Sequence, residues 1–78
     1  MPSPVKVIGK LLPSMKVIDR DGIIVGILEK VILEKNSLES ILIVKNKSEQ
    51  IIKVPLSYIS SVSDVIMLRT YSKLLNKS

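Results

Sequence analysis

Apolar residues run along this chain in short bursts, and turn-forming residues break them about every 8–12 positions. Pro2 and Pro4 favour an extended start, and Val5–Ile8 reads as a short strand ended by Gly9. After the break at Pro13-Ser14, Met15–Ile18 alternates loosely and meets Asp19-Arg20-Asp21-Gly22. The Asp-Gly pair predicts a tight hairpin, because glycine accepts the positive φ such turns need. The segment Ile23–Leu33 has a rival helical reading, since Ile-Leu-Glu-Lys-Val-Ile-Leu-Glu-Lys fits helical spacing. A strand is the better reading. The segment starts at a hairpin turn, is dominated by β-branched residues, and contains Gly26, which marks a bulge or sharp bend.

Further turns fall at Lys35-Asn36-Ser37 and Asn46-Lys47-Ser48-Glu49. They bound a strand over Leu38–Lys45 and its hairpin partner over Gln50–Val54. Pro55 ends that partner because it has no N–H to donate. Leu56–Ile59 reads as a short irregular or 3-10 step, and Ser63-Asp64 turns the chain into a last strand, Val65–Leu68. The expected fold is all-β, a small five- to six-stranded β-barrel over residues 10–68. Residues 1–9 form an extended segment, and residues 69–78 a basic amphipathic tail. The expected core includes Val17, Val25, Leu42, Val44, Ile52, Val54 and Ile66.

Strand parity raises a second point. Leu38, Leu42 and Val44 share one face of their strand, yet Ile41 and Ile43 make the other face apolar too. A strand with one solvated face should alternate. Both faces are therefore expected to be covered, which predicts a homodimer with Ile41 and Ile43 at its interface.

Composition sharpens the β reading. The core must be built from Ile, Val and Leu, since Phe, Trp and Cys are absent and the only aromatic residues are Tyr58 and Tyr71. Without cysteine there is no disulfide framework, thiolate nucleophile or thiolate metal site. Without histidine the commonest general acid–base is missing as well. No catalytic residue, cofactor, metal or small-molecule substrate is expected. No apolar run reaches the about 18 residues that span a bilayer, and the N-terminus lacks the order of a signal peptide. The expected compartment is the cytoplasm. The Ile-rich core with many Lys and Glu fits a thermophilic source.

The net charge of +5 is unevenly spread along the chain. Residues 1–18 carry Lys6, Lys10 and Lys16 with no acid, and residues 69–78 carry Arg69, Lys73 and Lys77 with none. The stretch between them is nearly neutral. An RNA or other anionic partner is therefore expected to meet those six terminal bases; the competing reading is that they only aid solubility. If residues 67–78 were helical, Arg69, Lys73 and Lys77 would line one stripe, and Met67, Tyr71, Leu74 and Leu75 the opposite one. Two other features read as structural. Asp19 and Asp21 suit a turn better than a metal site, and Ser57, Ser60, Ser61 and Ser63 read as polar loop surface.

The order of these signals resembles the PRC-barrel family. The residues that carry it are Val17, Asp21-Gly22, Val25-Gly26, Leu42 and Val44, Ile52 to Pro55, Ile59, and Asp64 through Leu68. Pro13-Ser14 departs from the pattern, since such barrels often carry a hydrophobic residue followed by Gly there. PRC-barrels occur in a bacterial ribosome maturation factor, the H subunit of photosynthetic reaction centres, archaeal cell-division proteins and short stand-alone archaeal chains. What they share is docking onto a macromolecule. The resemblance thus implies a non-catalytic docking module. Two roles stand: association with RNA or a ribosomal protein partner, and a protein-binding adaptor of division or membrane machinery.

Overall fold

The computed structural model describes residues 4–75. Six strands follow one short helix: α1 (Pro4–Lys10), β1 (Lys16–Ile18), β2 (Ile24–Ile32), β3 (Ile41–Lys45), β4 (Ile51–Pro55), β5 (Ile59–Val62) and β6 (Val65–Leu68). They form one mixed sheet in the order β4-β3-β2-β1-β6-β5, so β4 and β5 are its edges. All pairings are antiparallel except that of β1 with β6. The expected all-β class holds, with the sheet gathered around a single hydrophobic cluster. Among the described residues, no helix is long and apolar enough to cross a membrane.

The register explains why two strands are apolar on both faces. Side chains of paired residues share a face. Leu28, Val44 and Ile52 form one inward row, Val31, Leu42 and Val54 a second, and Gly26, Val17, Ile66 and Val62 a third. All seven expected core residues are buried. Two irregularities in β2 change which positions point inward. One lies against β1 between Val17 and Ile18 and turns Val25 to the core; the other lies against β3 between Leu28 and Lys30 and leaves Glu29 unpaired.

Gly26 sits between those irregularities, and its missing side chain is a packing requirement. A Cβ there would stand 2.4 Å from the Lys45 carbonyl oxygen. At the hairpin, Gly22 takes φ +82, as the Asp-Gly signal predicts.

Four local expectations are corrected. Residues 4–10 are helical, not extended or strand. Pro4 is tolerated as the first helical residue, and the spacing of Val7, Ile8 and Leu11 puts an apolar face on the core, so packing overrides β-branched propensity. Pro2 lies outside the described residues. Strand β3 starts at Ile41 and not at Leu38, because Asn36 Oδ1 accepts the Leu38 N–H at 3.1 Å and starts a 3-10 turn over Ser37–Glu39. Ser60 and Ser61, read as loop, belong to edge strand β5, which pairs with β6. The fourth correction concerns the tail. Met67 and Leu68 belong to β6, and only Ser72–Leu74 makes a 3-10 turn. Its amides are committed elsewhere: Arg69 N–H donates to the Tyr58 carbonyl and Ser72 N–H to Asp19 Oδ2, both at 2.8 Å. Arg69 and Lys73 therefore do not share a helical stripe, and Lys77 lies outside the described residues.

Candidate docking surface

The face of the sheet turned away from the core carries the main chemical pattern of this molecule. Across β1, β2 and β3 the register aligns Lys16, Ile27 and Lys45. The neighbouring row across β2, β3 and β4 aligns Lys30, Ile43 and Lys53. Each row holds a Lys-Ile-Lys stretch, and the two stretches are offset by one strand; the first row continues to Ile51 on β4 and Val65 on β6. Beyond them lie Ile32, Ile41 and Pro55 at one end, and Ile24, Ile18 and Met67 at the other.

Burial varies within this face. Ile24 is 52% exposed and Ile27 38%, whereas Ile43 is only 7% exposed. Ile43 lies outside the core cluster, and the register sets Lys30 and Lys53 directly beside it. Lysines at such positions can cover an apolar neighbour with their methylene stems while their charged ends stay in water. The chain thus covers Ile43 itself, and Ile41 is half-buried. Ile24, Gly26, Ile27, Lys16, Lys45, Asn46 and Lys47 line a shallow depression of about 350 Å³.

The near-neutral charge sum of the chain's middle hides this surface. Glu29 is the one acid in β2, β3 and β4, and Lys45 Nζ lies 3.6 Å from its Oε1. Asp21, Glu34, Glu39, Glu49 and Asp64 fall in the turns and connections. The signal was present in strand parity: Ile43 with Lys45, and Ile51 with Lys53, alternate with core residues. Counting charge by chain segment averages the two faces and loses it.

Among the described terminal bases, Lys16 and Arg69 stand at opposite ends of neighbouring strands. Strands β1 and β6 are neighbours but run parallel, so the chain enters β1 at one end of the pair and leaves β6 at the other. Lys6 and Lys10 are exposed on α1 before β1, and Lys16 belongs to the outer face. Arg69 is partly committed, since its guanidinium donates to the Ile59 carbonyl at 2.7 Å. Lys73 and Arg20 each lie over the Tyr71 ring, at 5.9 and 5.8 Å. Arg20 thereby joins the C-terminal bases, which no spacing in the sequence announces.

Asp19 holds that corner together. It is fully buried, and its Oδ1 accepts the N–H groups of Asp21 and Ile23 at 2.8 and 2.9 Å, while Oδ2 accepts that of Ser72. Burial alone would raise its pKa. The hydrogen bonds from Ser72, Ile23 and Asp21 outweigh it and hold the carboxyl below its ordinary value. Both of its oxygens are thus engaged by backbone donors, in keeping with the turn reading.

Comparison with known proteins finds no family model and no curated sequence that matches this chain. The resemblance to PRC-barrels rests on the residues quoted for it.

Proposed function

We propose that this chain is a non-catalytic docking module that engages a macromolecular partner through the outer face of its sheet. The observation that supports this reading is the doubled Lys-Ile-Lys row, which combines apolar area with unbalanced positive charge. An outer face serving only solubility has no need for Ile24 and Ile27 in the open. The lack of histidine and cysteine agrees with a role in binding. The competing reading, RNA or a ribosomal particle held by the basic ends, is favoured by the exposed Lys6 and Lys10.

Capture from native lysate, with and without nuclease, separates the two. Partners should survive nuclease and be lost from the double variant Lys16→Glu, Lys45→Glu. Partners that are lost on nuclease treatment, and also from a Lys6→Glu, Lys10→Glu variant, would instead support the RNA reading.

A further inference from the structure

We infer that the occupant of the outer face is an acidic amphipathic helix of another protein; this rests on the docking reading above. Charge complementarity and the shape of the apolar line argue for it. Adjacent strands are about 4.8 Å apart and alternate residues along a strand about 7 Å. The one-strand offset then makes Ile24, Ile27, Ile43 and Ile41 a diagonal apolar line of roughly 20 Å. Lys16 and Lys30 lie on one side of that line, Lys45 and Lys53 on the other. The flanking lysines of each row have Cα atoms roughly 10 Å apart, close to the diameter of a helix, and a line of that length matches about four helical turns. A helix with an apolar stripe over the isoleucines would bring Asp or Glu on both flanks to the lysine ends.

Other occupants fit less well. A second copy would present the same lysines to themselves, and Glu29, already near Lys45, offers little compensation. An anionic membrane fits less well because the Trp and Tyr that mark interfacial surfaces are missing from this face. RNA would find phosphate contacts but no ring to stack on, and the exposed isoleucines would gain nothing from it.

Amide chemical shifts of the full chain would be followed while three probes are titrated separately. They are an 18-residue helical peptide with a leucine stripe flanked by glutamates, a single-stranded RNA oligonucleotide, and phosphatidylglycerol vesicles. The peptide should shift residues 24–32 and 41–45, and a version with lysine for glutamate should not. The Lys16→Glu, Lys45→Glu variant should bind the acidic peptide at least about tenfold more weakly with its fold intact. RNA or vesicles shifting these amides more tightly than the peptide would overturn the partner chemistry and leave the docking reading standing. So would concentration-dependent broadening of the same amides in the protein alone. If none of these probes, nor concentration, disturbs the face, both readings fail together.

Discussion

Gly26, Glu49 and Asp19 show how single positions set the limits of this fold. At Gly26 an added methyl meets backbone, which cannot rotate away. Gly26→Ala should therefore cost about 1–3 kcal/mol or more in urea unfolding, and an unchanged midpoint would disprove the close approach. Glu49 presents the opposite case. It sits at φ +61 in a turn where Asn46 Oδ1 already accepts the N–H groups of Ser48 and Gln50, each at 2.9 Å. A left-handed non-glycine residue costs roughly 1–2 kcal/mol, partly offset by the extra unfolded freedom of glycine. Glu49→Gly should thus raise stability by up to about 1 kcal/mol, visible as a higher melting temperature. For Asp19 the pKa is lowered on folding, so its stabilisation is complete above the unfolded-state pKa and is lost as pH falls through the folded value. Asp19→Asn should be less stable than wild type at neutral pH, and the gap should narrow on acidification. A gap independent of pH would show that the charge of Asp19 is irrelevant.

Among the elements, the C-terminal segment departs most from its sequence pattern. Leu75 is buried in the core cluster while its neighbour Leu74 is 65% exposed, so the apolar stripe imagined for a helix is divided. The segment is tied down by the Arg20 N–H to the Thr70 carbonyl, the Ser72 N–H to Asp19, the Arg69 N–H and guanidinium to the Tyr58 and Ile59 carbonyls, and the Leu75 side chain. The segment is therefore part of the folded unit, even though the strand pattern is complete at Leu68. Removing residues 69–78 should lower the urea midpoint, and Leu75→Ala alone should account for about 2 kcal/mol of the loss. A truncated chain as stable as the full one would mean that these links contribute nothing. The central sheet gives the reference. Leu42→Ala, at a fully buried position in the row of Val31, Leu42 and Val54, should cost about 2–5 kcal/mol.

At the scale of the whole molecule, the decisive property is the separation of charge from core. Four lysines on one face, with most acids in the turns, make association depend on salt even where apolar contact supplies much of the affinity. Partner binding through this face should weaken as ionic strength rises, and it should weaken less for a variant with Lys30 and Lys53 replaced by Gln. Equal salt dependence of the two proteins, measured by titration, would remove those lysines from the interface. The homodimer expected at Ile41 and Ile43 faces a separate check, because Ile43 is already covered within its own chain. Sedimentation across micromolar concentrations, compared between wild type and Ile41→Lys, reads association at the position that perturbs the sheet less.

The sequence by itself determined the local rules. Gly22, Pro55 and the apolar runs between turns restrict which backbone conformations are allowed at all, and the expected core residues other than Val25 follow from parity within each strand, whereas Val25 owes its place to the irregularity in β2. Tertiary structure decided whatever depends on residues distant in the chain. The helix at Pro4–Lys10 exists because Val7 meets a core built by later strands. The serine-bearing strand β5 exists because β6 offers it a ladder. Asp19 reaches Ser72 across 53 positions, a separation that no local pattern can encode. The Lys-Ile-Lys rows required the register between strands, including the irregularity at Glu29. A shift of one residue there would exchange the faces, and hydrophobic pattern alone does not say where a strand will bulge.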